Sequence, residues 1–280
     1  MDATTLIGRE SQRLADLLVR ADPAAAVPTC PGWDAAELLA HVTQVHGFWA
    51  EVLASRASTD AQIEALESSL EPPPKDPEAL AAARAEATAA LLAQLGTRAD
   101  EEPAWSWLSS DQSLGFTRRM QLHEATMHRV DAELTCGQAV TEPGEEVAVD
   151  GIAHCADVMW EADHQWTSMQ RAVVPVALLV LRPQGGPETF VELSRAAATG
   201  EDEEDIVVAR RAPDQDLAPG TALRELPRAE ATGSPVALYL WTWGRGLALE
   251  ALAGGAESVD VTGDPDAVAA LEALLRRGLQ

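Results

Sequence analysis

The sequence predicts a helical N-terminal region followed by a small α+β domain, and three observations carry that prediction. Up to about residue 168, apolar side chains recur every three or four positions in long stretches parted by Pro- and Gly-containing breaks. Beyond about residue 171 they gather instead in short β-branched runs separated by Gly, Pro and acidic turns. The length of 280 residues suits one large domain or two ordinary ones. The expected division is an up-and-down helical bundle over 1–168 and a small α+β domain over 169–280.

The elements follow in chain order. Residues 4–20 place Leu6, Leu14, Leu17 and Leu18 near one face of a first amphipathic helix. VPTCPGW (27–33) interrupts with Pro28, Pro31 and Gly32. Asp34 then caps a helix over about 35–55, and Glu37 completes a capping-box pattern. The apolar face of that helix is Leu38, Val42, Val45, Trp49 and Val52. EPPPKDP (71–77) is a loop closed by Asp76 as cap and Pro77 at the first helical position. The helix after it runs to Leu95, where Gly96 suits a left-handed cap. A fourth helix spans about 117–135 and stops at Gly137, and another covers roughly 150–166. Strands are expected at 173–181, 189–193 and 205–211, with the acidic run 201–205 solvating a turn between two of them. Ser234 and Pro235 open a helix ending near Gly246, 258–263 is one more strand, and 264–277 is a terminal helix.

Composition narrows the function classes. Hydrophobic residues make up 46% of the chain, enough for a sizeable core. Twenty Lys and Arg face 45 Asp and Glu, a formal charge of -25 that repels nucleic acid and anionic lipid. No apolar run reaches the ~18 residues of a membrane span. The first residues lack the basic flank and apolar block of a signal peptide. Cys30, Cys136 and Cys155 form no CxxC and no disulfide framework, so a cytoplasmic location is expected.

Three side chains are polar where the helical pattern calls for apolar ones. His41 lies on the inward stripe of the second helix, and Glu124 and His128, four apart on the fourth, point the same way. Two imidazoles and a carboxylate suit a divalent ion, and zinc with three protein ligands keeps a position open for chemistry. His123 and His128 are not a protease pair, because five residues rotate them about 140° apart on a helix. Taken singly, each feature has a structural reading: a satisfied core histidine, or an ordinary surface pair.

VPTCPGWDAAELLAHVTQVH (27–46), RRMQLHEATMHRVDAE (118–133), and GSPVALYLWTWGR (233–245) with VDVTGD (259–264) together resemble the mycothiol-dependent maleylpyruvate isomerase-like proteins, in that family's order along the chain. The resemblance implies a DinB-like metal-binding four-helix bundle followed by a sterol-carrier-like α+β domain. It implies that His41, Glu124 and His128 are zinc ligands, zinc or another divalent ion being the cofactor. It further implies that a low-molecular-weight thiol, mycothiol, is the cosubstrate, used either to isomerise a small electrophile or to transfer sulfur to it. The expectation leans towards the transferase.

Around that site, Asp131 is read as a brace for a ligand imidazole or as the partner of an arginine. Arg245, matched to the family's C-terminal arginine, holds a carboxylate of substrate or thiol, or else a helix end. Trp33 and Trp49 are expected to pack the bundle, His46 to lie at a rim, Cys30 to be structural, and His154 and His164 to be bystanders. Rival readings are a non-catalytic metal- or ligand-binding protein, a zinc hydrolase, and a bundle without metal.

Overall fold

In a computed structural model of the chain, which describes every residue except 1, 97, 201, 202 and 280, most expected helices start where their caps lie. Asp2 accepts from the Thr4 amide and opens α1 (Ala3–Leu18). Asp34 opens α2 (Ala35–Ser55), and both halves of the capping box form: Glu37 N to Asp34 at 2.8 Å, and Asp34 N to Glu37 at 2.9 Å. Thr59 caps α3 (Asp60–Ser69), a helix the sequence reading lacks, since its single buried residue, Ile63, makes no stripe. Asp76 takes the Ala79 amide at the start of α4 (Pro77–Gly96). Gly96 is that helix's last residue and is not left-handed, whereas Gly137, after α5 (Leu114–Thr135), is, with φ 61°.

The chain divides into two compact units, residues 1–141 and 142–280. In the first, the helices enclose two apolar clusters. One contains Ile7, Trp49, Leu53, Leu91, Leu114 and Leu122; the other contains Leu14, Leu38, Val42, Leu80 and Ala132. Glu124 and His128 fall on α5 between residues of the two clusters. A buried ionic network ties α1 to α5. The Arg129 guanidinium, 1% exposed, donates to Glu10 at 2.6 Å, to Glu133 at 2.7 Å and to the Thr141 carbonyl at 2.6 Å, while Arg13 donates to Glu133 at 3.0 Å.

The second unit starts with α6 (Glu145–His154), a π-helical turn (Cys155–Met159) and α7 (Trp160–Ser168). The expected boundary at 168/169 therefore moves to 141/142. These helices carry side chains committed to the second unit: the Trp243 indole donates to the Gly151 carbonyl at 2.9 Å, and Arg277 pairs with Asp163 at 3.0 Å. Five strands follow: β1 (Val173–Pro183), β2 (Thr189–Ala196), β3 (Ile206–Arg211), β4 (Arg228–Gly233) and β5 (Asp260–Gly263), in the order β3-β2-β1-β4-β5. The sheet is antiparallel except for the parallel β1–β4 pair. β4 is absent from the sequence reading because RAEATG has no β-branched run; its small side chains, with Ala229 and Ala231 fully buried, fit a central position. The acidic run at 201–205 lies partly outside the described residues; Glu203 within it pairs with Arg171. Ser234 caps α8 (Pro235–Thr242), which ends earlier than expected, before Gly244 at φ 77°. The last helix is α9 (Pro265–Arg277). Among the described residues no helix is long and apolar enough to cross a membrane.

Candidate metal centre

The first unit brings His41, Glu124 and His128 together. One ligand atom from each lies within 4.8 Å of the other two. Leu38 and Val42 bury the inward stripe of α2 and turn His41 towards α5. On α5 the spacing of four stacks Glu124 one turn before His128, with His128 Nε2 3.2 Å from Glu124 Oε2. The two imidazoles meet edge to face, their centroids 5.0 Å apart.

These donors fit a divalent ion. Two atoms at 2.0–2.2 Å from a tetrahedral ion are about 3.3–3.6 Å apart, and the Glu124–His128 separation of 3.2 Å falls just short of that. The donor set is the imidazole–carboxylate mixture that zinc accepts, and its formal charge leaves a bound dication at a net +1. His41 and Glu124 are half-buried while His128 is buried, so the cluster is not sealed inside apolar side chains.

Asp131, fully buried, sits on the other side of His128, with Oδ2 2.9 Å from Nδ1. Of the two readings open from the sequence, the structure places it against the imidazole. Burial alone pulls the His128 pKa down, but the hydrogen bonds and charges of Asp131 and Glu124 outweigh it and hold the pKa at about 9. His41 moves the opposite way: burial, then the neighbouring His128 charge, lowers it to about 4. One imidazole of the pair is thus charged, the other neutral.

The loop before α2 closes over this cluster. Val27 N bonds to Trp33 O at 2.9 Å, Cys30 N to Val27 O at 3.1 Å and Trp33 N to Cys30 O at 3.0 Å. Gly32, at φ 89°, takes the left-handed conformation that lets this turn form. The turn sets the Trp33 ring 4.7 Å from that of His41 and 6.4 Å from that of His128. Trp33 is therefore a wall of the site as well as a packing residue, whereas Trp49 is core. The turn also points Thr29 and Cys30 at Asp131, with Thr29 Oγ1 2.5 Å from Oδ1 and Cys30 Sγ 3.7 Å from Oδ2. The Cys30 thiol thus meets the Asp131 carboxylate, a contact that disfavours the thiolate. Nothing in the sequence singled out Thr29, since its partner lies in a distant segment.

The other candidates have settings of their own. His46 is not at a rim but 1% exposed in the core, hydrogen-bonded to Thr88 at 2.9 Å, and burial lowers its pKa to about 4. His123 is buried and does not join the ligand cluster. His154 and Arg245 belong to the second unit. His154 is stacked on Trp243 with centroids 5.9 Å apart. Arg245 is buried, and its Nη1 donates to the Trp243 carbonyl at 2.8 Å, a bond to the residue that caps α8. His164 is half-buried on α7, its pKa lowered by burial.

Comparison with known proteins agrees with this architecture. Residues 5–133 match the family described as Mycothiol maleylpyruvate isomerase N-terminal domain. No curated protein sequence matches the chain. Two solved structures share its fold. A crystal structure of the mycothiol-dependent maleylpyruvate isomerase has 16% identity and a TM-score of 0.53, and its histidine-to-alanine mutant has 15% and 0.54. Each alignment covers 88% of this chain and 89% of the other. Residues 5–133 thus carry a match to the N-terminal domain of the mycothiol maleylpyruvate isomerase family, and the likeness to the two solved structures is one of fold.

Proposed function

We propose that this chain is a metal-dependent enzyme that uses a low-molecular-weight thiol, mycothiol, to isomerise a small conjugated electrophile. The observation that carries the proposal is the convergence of His41, Glu124 and His128 within 4.8 Å, in the domain that matches the family. His41, Glu124 and His128 would hold the ion, zinc being the first choice for this donor set. When bound, such an ion supplies a positive charge that keeps a thiol deprotonated at neutral pH, where a free thiol of pKa about 8.5 is mostly protonated.

The chain's own groups prepare this chemistry. Asp131 keeps the His128 Nδ1 proton engaged, which fixes the ring and leaves Nε2 directed at Glu124 and the ligand cluster. Trp33 covers the imidazoles on one side and limits water there. Arg245 is assigned the binding of a carboxylate of substrate or thiol, a task its planar fork of donors suits. In the reaction, the thiolate sulfur bonds to one carbon of a conjugated cis double bond, and the displaced electron pair is delocalised into the adjacent carbonyl. Rotation about the resulting single bond follows. Expulsion of the same thiolate restores the double bond in the trans geometry, so no thiol is consumed.

S-transfer is the second reading, because it begins with the same nucleophile and differs only in retaining the new carbon–sulfur bond. The isomerase is favoured by the solved structures of like fold, both of a mycothiol-dependent maleylpyruvate isomerase. The test has two stages. Protein purified without chelator is assayed for metal: about one ion per chain, lost in His41→Ala and His128→Ala, supports the ligand set, and equal metal in all three refutes it. The protein is then incubated with mycothiol and maleylpyruvate. A trans product at constant thiol supports isomerisation, stoichiometric thiol adducts support transfer, and turnover without thiol supports a hydrolase. Metal uptake with no turnover of any kind points to a binding protein.

A further inference from the structure

We infer that Thr29 is a positioning residue for the metal centre, fixing the Asp131 carboxylate that in turn aims His128. The inference rests on the metal-dependent reading above. The two oxygens of Asp131 have different partners: Oδ1 accepts the Thr29 hydroxyl at 2.5 Å, and Oδ2 faces His128 Nδ1 at 2.9 Å. The carboxylate torsion of aspartate is soft, with a broad two-fold profile, so a single bond to His128 does not set the carboxylate plane. A second bond, on the other oxygen, does. Thr29 suits the task because its β-branched side chain has few rotamers and its loop is braced by the Val27, Cys30 and Trp33 backbone bonds.

The same contact has a second consequence. α2 begins at Ala35, directly after this loop, and carries His41. Asp131 lies on α5, one turn beyond His128. The hydroxyl–carboxylate bond therefore links the segment that delivers one imidazole to the residue that orients the other. The Cys30 thiol, 3.7 Å from Oδ2, adds a weaker tie at the same point. A loop anchor alone would not require the bond to fall on a carboxylate that also holds a ligand ring.

The test uses the full-length protein, freed of metal and titrated with Zn²⁺ against a chromophoric chelator, and with Co²⁺ read by its visible absorption. Thr29→Val is expected to weaken Zn²⁺ binding by up to about 10-fold, the lower end of the loss usual when a ligand's own hydrogen-bond partner is removed. It is also expected to shift the Co²⁺ band, and Thr29→Ser to restore both. In an Asp131→Asn background, Thr29→Val is expected to add no further loss, because its influence runs through that carboxylate. Thr29→Ala serves as the second deletion should the valine variant fail to fold. A parent that binds one ion with unchanged affinity and spectrum in both deletions overturns this inference alone. So do a serine variant no better than valine, and losses that add across the double variant. A parent that binds no ion overturns the metal-dependent reading with it.

Discussion

Metal uptake at this site should displace one proton, and that proton should come from His128. In the metal-free protein His128 titrates at about 9 and His41 at about 4. At pH 6 the first is essentially fully protonated and the second essentially neutral. A metal ligand must present a free lone pair, so binding removes the proton on His128 Nε2 and none from His41. Between about pH 5 and pH 8 the apparent affinity should then rise about tenfold per pH unit, or about a hundredfold from pH 6 to pH 8, equivalent to ~2.7 kcal/mol. Calorimetric titration with Zn²⁺ at pH 6 in buffers of different ionisation enthalpy measures the released protons directly, and any His128 pKa above 8 gives the same stoichiometry of one. The sign also bears on the metal-free fold. Because the His128 pKa is raised in the fold, its contribution to stability is fully present below the unfolded value near 6.5 and is lost as pH climbs through 9. Release of two protons, or of none, or an affinity flat between pH 6 and pH 8, would refute the electrostatic account of the pair.

Three further outcomes are expected. His46 has its pKa lowered to about 4 by burial, so its contribution to stability is present above pH 6.5 and lost as pH falls towards 4. Its share of the loss should be ~2.5 kcal/mol between urea unfolding at pH 7.5 and 4.5, and His46→Gln should make that dependence shallower by about this much; an equally steep fall in the variant argues against it. Arg129→Met takes the buried partner from Glu10 and Glu133, leaving them with Arg9, Arg13 and Thr141, and should cost about 3 kcal/mol. The exposed Arg9→Ala, by contrast, should cost under about 1 kcal/mol by the same denaturant measurement. Finally, a Cβ at Gly151 would enter the ring of Tyr239, 2.7 Å from Cζ with other ring carbons nearer. Gly151→Ala should therefore lower stability by roughly 3 kcal/mol or more, while Gly144→Ala, whose Cβ meets nothing, should not. Equal melting temperatures for the two variants would contradict the packing of α6 against Tyr239.

What the sequence disclosed about the fold follows from how locally each feature is encoded. The Asp34–Glu37 box, the Asp76 and Ser234 caps and the helix end before Gly137 are set within a few residues, and all form where expected. β4 and the domain boundary are not local. RAEATG becomes a strand because β1 and β5 offer edges to it, not because its residues favour extension. The helix from 145 to 168 reads like any amphipathic helix, and its place in the second unit depends on partners such as Trp243 and Arg277, far ahead in the chain. Gly96 failed as a left-handed cap for the same reason in reverse. A glycine permits that conformation without demanding it.

The site was legible for a different reason. Polar residues on inward stripes are not rare in this bundle: His46, Thr88, Arg129 and Glu133 are all buried, and all are used in hydrogen bonds or ion pairs that hold helices together. Burial of a polar group therefore does not mark a site, which is why His41 alone was ambiguous from the sequence. The difference lies in where the lone pairs go. His46 spends its Nδ1 on Thr88, and Glu133 spends both oxygens on arginines and Thr141. His41, Glu124 and His128 instead bring one donor atom each within 4.8 Å of one another from two helices. The opposed pKa displacements of the two imidazoles follow from their settings: burial, then the charge of His128, lowers His41, while Asp131 and Glu124 hold the proton on His128.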